Sequence, residues 1–421
     1  WNELTVREKW EAKPNLRARE VIAKNPVRAK AAIENEIKEP EYALRDAEIR
    51  DGLWQIMDQM ERFALAFFQF EHLSEDGVLP TRWYKDLTPQ TAKIIGCVAS
   101  GGPAGVHGWH DLFIDEQKRR ALVCAIIGNV LVEQVFQHIL FGGRAAEIKA
   151  VAALQEKHRN EDGELPWHYG TAIKKLLKGN KATDVLELPA NFSNHVNRIV
   201  GAVWTHLSPI FYLNLENLST PGETEIPEDV FNPLHKIIAQ AGVLSLHMRL
   251  DPHTVYYFEP IFKEDTFTAN RMECFNFRNM QQRHPRCTPE EVLKLDEEEQ
   301  ERRATLLDAE KKRARNDEPL TQITIMDGVC AYRLGGWEKV SSKASQPEYE
   351  KPEYKTQGVR ARILTHGWVY CRWGRARRFK EGKPNDGGEK VHGDAWKGGF
   401  VEFTDVKGVY PWLEEERKAR K

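Results

Sequence analysis

The residue types and spacings that could do chemistry in this chain fall into four groups, of which the densest is basic. Residues 358–383 read GVRARILTHGWVYCRWGRARRFKEGK. Eight cations there (Arg360, Arg362, Arg372, Arg375, Arg377, Arg378, Lys380 and Lys383) meet a single acid, Glu381, in a chain whose formal charge is −2. Arginines interleaved with aromatics suit phosphate and bases. The guanidinium groups contact a nucleic-acid backbone, and Trp368 or Tyr370 stacks a base. Strand alternation puts Arg360, Arg362, His366, Trp368, Tyr370 and Arg372 on one face. Val359, Ala361, Ile363, Val369, Cys371 and Trp373 take the other, and a bend at Gly367 would reverse that parity. The candidate anion or nucleic-acid contacts are therefore Arg360, Arg362, Trp368, Tyr370, Arg372, Arg375, Arg377 and Arg378. A structural reading outweighs this one: the arginines lie over an outer sheet face and pair with the acid-rich segment 290–301.

The other three groups are weaker. Gly101-Gly-Pro-Ala-Gly-Val-His-Gly108 could cradle phosphate through backbone amides. It matches neither GxGxxG nor GxxxxGK[ST], and it follows a helical pattern where both motifs need a strand, so a helix–helix corner is expected. His107, His110 and Asp111 could ligate a metal, but they sit in a glycine-rich turn without an evident third and fourth ligand. His138, His195, His206, His235 and His247 all fall within helical patterns and read as hydrogen-bonded structural residues. No GxSxG, HExxH, calcium-loop or kinase signature occurs, so the sequence calls for no catalytic residue, no metal and no cofactor.

Several stretches resemble known sequences. RDAEIRDGLWQIMDQMERFA, LFIDEQKRRALVCAIIGNVLVEQVFQHILFG, RLDPHTVYYFEPIF and VYCRWGRARRF are similar to a set of uncharacterised helical proteins of filamentous-fungal genomes. The resemblance covers most of residues 41–406. It implies an intracellular eukaryotic protein and carries no activity.

Composition limits the classes. Hydrophobic residues make up 41% of 421 and charged residues 29%, enough apolar material for a sizeable core. Six cysteines without a CxxC argue against zinc ribbons and disulfide scaffolds, and place the chain in a reducing compartment, cytoplasmic or nuclear. The first residue is Trp1 rather than Met, which reads as a fragment. The most apolar run, Ala121 to Phe141, contains Asn129, Glu133, Gln134, Gln137 and His138. Such a run belongs in a protein core and not in a bilayer.

The elements that must position these groups follow from periodicity. Ile49, Leu53, Ile56, Met60, Phe63, Phe67 and Phe70 repeat at alternating intervals of four and three, one stripe on a helix of about 30 residues. Thr88-Pro89 reads as a helix start, Asp115 as the cap of a helix reaching Phe141, and Gly142-Gly143 as its stop. Further helices are expected at 145–158, 167–178, 191–207 and 228–250. Beyond Asp251-Pro252 the residues turn β-branched and aromatic, with strands expected at 254–258, 320–334, 359–373 and 399–406.

The predicted fold is mainly α, a helical bundle domain with a smaller α+β C-terminal part containing a short antiparallel sheet. The boundaries are a charged helical arm at 1–40, an all-α domain at 41–250 able to stand alone, an α+β part at 251–412 and a charged tail at 413–421. A charged helical excursion occupies 289–318. The expected function is that of a non-catalytic interaction or regulatory protein with a protein partner and no membrane. A nucleic-acid-binding protein using 358–383 is the alternative, and an enzyme with a site between the helical and β parts is the third.

Overall fold

The computed structural model describes residues 41–69, 87–159, 165–178, 187–215, 228–334, 358–375, 401–406 and 409. The arm at 1–40, the tail at 413–421 and the ends of the basic segment, Arg377 and Arg378 included, lie outside the described residues. Eight α-helices come first: α1 (Glu41–Phe68), α2 (Pro89–Val98), α3 (Val106–Ile114), α4 (Glu116–Leu131), α5 (Ala145–Lys157), α6 (Leu165–Lys178), α7 (Phe192–Leu215) and α8 (Phe231–Leu250). Then come β1 (Thr254–Glu259), β2 (Met272–Cys274), four short helices, and β3 to β6. The short helices are α9 (Phe277–Gln282), α10 (Pro289–Val292), α11 (Glu297–Thr305) and α12 (Asp308–Ala314). The protein is mainly α with a smaller β part.

Local chemistry explains most boundaries. The Thr88 side chain accepts the Thr91 amide at 3.1 Å with Pro89 in the first turn, and Asp115 accepts the Lys118 amide at 2.8 Å. Both caps satisfy amides that a helix start leaves without partners. The stripe on α1 is core: Ile49, Leu53, Ile56, Met60 and Phe63 are buried. Its end departs from expectation, since Phe68 takes the buried place, Phe67 is half-buried and the helix stops before Phe70. The stop is chemical. Arg119, fully buried, donates to the carbonyl of Phe68 at 2.9 Å and to those of Phe113 and Ile114 at 2.7 and 3.0 Å. One guanidinium thus closes the carbonyl ends of α1 and α3, and burial lowers its pKa to about 10.

Two expected helix ends move. The helix after Asp115 does not run to Phe141. It widens into a π turn at Val132–Phe136 and stops there. The carbonyls released are taken by Ser245, which donates to Val135 at 3.0 Å, and by Arg249, which donates to Phe136 at 3.3 Å. Gly142 instead makes the turn into α5, with φ of 78°. The helix begun at 192 continues through Pro209 to Leu215, because Ile210 and Phe211 beyond the proline are buried.

β3 (Glu318–Met326) and β4 (Gly328–Leu334) form one long strand bent at Asp327, and β5 (Val359–Thr365) and β6 (Gly367–Gly374) form another bent at His366. The two run antiparallel, with Glu318 opposite Gly374, Met326 opposite Trp368, and Leu334 opposite Val359. β1 joins β4 antiparallel and β2 joins β6 parallel, so the strands form two sheets, β1-β4-β5 and β2-β6-β3. The second sheet is therefore mixed, where an antiparallel one was expected. Residues 401–406 carry a single 3-10 turn, Phe403–Asp405, and not a strand. Phe403 is fully buried against Trp109, with ring centres 4.9 Å apart.

The change of character at 251 is not a seam in the packing. Ile323, Ile325, Met326, Val329 and Trp368 belong to the same buried cluster as α1 and α4. Gly128 on α4 shows how close the layers come: a Cβ there would lie 2.0 Å from the carbonyl oxygen of Ile325. Among the described residues no helix is long and apolar enough to cross a membrane.

Two outcomes follow from this packing. A 41–250 fragment, deprived of the β3 and β6 residues that complete its core, should lack the cooperative thermal transition of the whole chain. Scanning calorimetry measures this, and an intact-like melt would show a separate helical core. The second concerns the bend. Asp327 accepts the Ile261 amide at 3.4 Å, and burial, with Glu133 nearby, raises its carboxyl to about 6. The folded state therefore holds this proton more tightly than the unfolded chain. Its contribution is full at pH below about 4 and is lost as pH rises through about 6. Asp327→Asn should then raise stability by roughly 2–3 kcal/mol at pH 8 and change it little at pH 4, as urea titrations at the two pH values would show.

Candidate functional site

The six basic-segment candidates among the described residues do not form one surface. Trp368 is fully buried on α1, edge-on to Trp54 at 5.3 Å, and Tyr370 is 3% exposed. β6 lies between β2 and β3 and is covered on both faces. Trp368 and Tyr370 join the main core, while Val369 and Cys371 join a second cluster with Ile261, Met272 and Cys274. Neither aromatic can stack a base, which corrects their assignment to an exposed face. On β5 the expected division into a covered and an open face does not hold: residues 359–363 are all exposed, Val359 at 64% and Ile363 at 47%, and Arg362 stays 45% exposed while reaching to within 3.6 Å of Asp46. Arg360, at the far end of β5, is exposed.

Among the described residues, the ion pairs of these arginines go elsewhere than to the 290–301 acids. Arg372 pairs with Glu264, and Arg375 lies 3.7 Å from Asp317. Glu299, the buried acid of that segment, is held by its own helix: Arg302 donates to it at 2.6 and 2.7 Å and Arg303 at 2.8 Å. Burial alone would raise the Glu299 carboxyl, but these bonds outweigh it and leave it below the usual carboxylate range.

Around Arg372 the structure brings together groups that sequence reasoning kept apart. A cavity of about 810 Å³ lies between the glycine corner, β6 and the charged excursion. One wall is Gly101 to Gly108. There Gly102 has φ of 64°, and a Cβ on it would lie 3.2 Å from Nε of Arg372. The floor carries Tyr370, Asn276 and Gln322. Asn276 is fixed by donating to the Cys371 carbonyl and accepting its amide, both at 2.8 Å. The outer wall is α11 and α12, locked on by Arg303, which donates at 2.9 Å to the carbonyls of both Gln282 and His284. Thr288 and Glu291 form a capping box that starts α10, and Asp296 caps α11 by accepting the Glu299 amide at 2.9 Å.

Cations dominate this lining. Lys118, Arg302, Arg303 and Arg372 are engaged with acids, whereas the guanidinium groups of Arg283 and Arg315 are exposed and make no ion pair with any described residue. Nε of Arg372 is buried without a hydrogen-bond partner. Each lining carboxylate is occupied. Asp111 lies 3.9 Å from Lys118, Glu310 accepts the Leu307 amide at 2.8 Å, and Asp317 lies beside Arg375. No motif in the sequence flags Arg283, in the loop after α9, or Arg315, at the end of the basic run Lys311-Lys312-Arg313-Ala-Arg315.

The remaining histidine candidates are scattered: His235 and His247 are exposed on α8, and His138 lies beyond the π turn. His107 and His110 lie on α3 and not in an open turn, with rings 6.2 Å apart, and burial followed by His107 lowers the pKa of His110. His206 Nδ1 is 2.8 Å from the Thr91 hydroxyl, and His195 Nδ1 accepts the Gly142 amide at 3.1 Å. Burial, then His138 and Arg198, lowers His195 to about 4, so it stays neutral. Among the described residues no three His, Cys, Asp or Glu side chains converge as a metal site would need.

In comparison with known proteins, the chain matches no family model, no curated sequence and no solved structure.

The burial of the aromatics has a measurable consequence. Trp368→Ala should cost about 3–5 kcal/mol of stability, as removal of a buried aromatic does. Chemical denaturation followed by circular dichroism measures it, and a wild-type midpoint would place Trp368 outside the core.

Proposed function

We propose that this protein is a non-catalytic binding protein whose cavity between the helical part and the sheet receives an anionic ligand. The observation that carries the reading is the pair of unneutralised guanidinium groups, Arg283 and Arg315, on a cavity whose carboxylates are all engaged. The orphaned Arg372 Nε adds a buried donor without an acceptor, and a group left so is costly unless a partner arrives. The size, about 810 Å³, lies in the range of roughly 300–1,000 Å³ that small-molecule sites span. Binding is favoured over catalysis because the acids that could act as bases are tied to cations or to a helix start. It is favoured over nucleic-acid recognition because the aromatics beside the arginines are core residues.

The test is calorimetric titration with inorganic pyrophosphate at low salt. Arg283→Ala combined with Arg315→Ala should weaken binding at least about tenfold, and added salt should weaken wild-type binding in parallel. Arg360→Ala, on the exposed end of β5, should leave it unchanged. Equal binding by wild type and the double variant would refute the reading.

A further inference from the structure

We infer that the ligand of this cavity is an organic anion, a phosphate or carboxylate head on an apolar chain or ring. This rests on the anionic reading above and adds what the rest of the lining demands. A site for a bare inorganic anion is small and walled by donors. This one is an order larger than an inorganic phosphate needs, and much of its wall cannot hydrogen-bond: Met280, Val292, Leu306, Trp373 and Pro103 all face it.

Those apolar residues are held in place. Trp373 donates from its indole nitrogen to the Met280 carbonyl at 2.8 Å, and its ring meets His284 edge-on at 4.7 Å. The indole nitrogen is thus occupied by the protein, leaving the ring as an apolar surface. Val292 ends α10, and Leu306 follows α11 at its C-cap, so both sit on the excursion that also carries Arg302, Arg303 and Arg315. Neither is fully covered in the structure. The excursion is otherwise strongly charged, and apolar side chains turned toward a cavity from such a segment gain most from an apolar occupant.

Charge and apolar surface come from the same two walls. Arg283 stands in the loop after α9, one turn from Met280, and Arg315 closes α12 beyond Leu306. A ligand with its head at these guanidinium groups therefore has Met280, Leu306 and Trp373 available for its body. A wholly polar polyanion would leave that surface wet, and a neutral lipid would leave the cations unanswered.

The experiment compares inorganic phosphate, octyl phosphate below its micelle concentration, sodium octanoate and octylammonium, each titrated calorimetrically into the full chain. Octyl phosphate and octanoate should bind at least about tenfold more tightly than inorganic phosphate, with octylammonium showing no comparable binding. Leu306→Ser should remove the gain from the octyl chain and keep the inorganic phosphate affinity. Circular dichroism would verify that this variant is folded, and Met280→Ser provides a second one reading the same gain.

Equal binding of inorganic and octyl phosphate overturns the inference and leaves the anion site standing. No binding of any anion overturns the proposed function itself. Octylammonium binding as tightly as octyl phosphate, or a gain that survives both substitutions, overturns the inference by placing the chain elsewhere. A head preference, phosphate over octanoate or the reverse, identifies which anion the guanidinium groups select, and tighter binding of either supports the inference.

Discussion

A buried ion pair holds the two halves of this molecule in register. Arg333 on β4 donates to both carboxylate oxygens of Asp46 on α1, at 2.9 and 2.6 Å, across 287 residues of sequence. Both side chains are almost wholly buried, at 5% and 2% exposure. Removing two charges from water costs several kcal/mol each, and a pair repays that only when its other polar atoms are satisfied. Here they are. Arg333 Nε donates to the Thr254 hydroxyl at 2.5 Å, and Asp251 lies 3.8 Å away, itself accepting from the Tyr256 hydroxyl and the His253 amide. Burial would lower the guanidinium pKa, and the bonds to Asp46 more than offset it. The pair thus clamps the start of α1, the end of α8 and strands β1 and β4 at one point. Breaking it would strand a charge in the interior, so no part of the network has an easy alternative arrangement.

That clamp determines what the basic segment can do. Once β4 is fixed to α1, the antiparallel partner β5 brings Arg362 within reach of Asp46, while its first five residues stay exposed. The bend at His366 then carries the chain into β6 between two neighbours, where aromatics are needed as filling. Alternation in the sequence separates the two faces of β6, Trp368 and Tyr370 on one and Val369 and Cys371 on the other. It does not show that both of those faces are covered, because the covering residues, Trp54 on α1 and Ile261 with Met272 on the other side, lie far away in the chain. A strand buried on both sides has no polar face to announce it.

The features legible in the sequence were those set by neighbours within a few residues. The caps at Thr88 and Asp115 and the apolar stripe of α1 all follow from spacings of three and four. What escaped was set at a distance. The π turn at Val132–Phe136 exists because Ser245 and Arg249 accept the task of binding its carbonyls. β2 is three residues long, too short for a period, and is defined only by β6 beside it. The cavity combines a glycine corner near residue 100, a loop near 280 and a strand near 370, which no spacing in the sequence connects.

The near-neutral charge of the chain conceals how that cavity becomes cationic. The excursion 289–318 is rich in both signs, with eleven acids against seven cations. In three dimensions the neutralisation is unequal. Glu299 is drawn inward and consumes Arg302 and Arg303, which thereby become structural and pin the outer wall to the loop after α9. The neighbouring acids Glu297, Glu298 and Glu301 remain exposed and do not line the cavity. Arg283 and Arg315 are left on its inner side without a counter-charge among the described residues. A single buried carboxylate thus takes up two arginines of the excursion, while Arg315 beyond them and Arg283 before them make no ion pair among the described residues. The resulting field is local, short in range under physiological salt and confined to the cavity, so a small anion feels it there while the rest of the surface stays close to neutral.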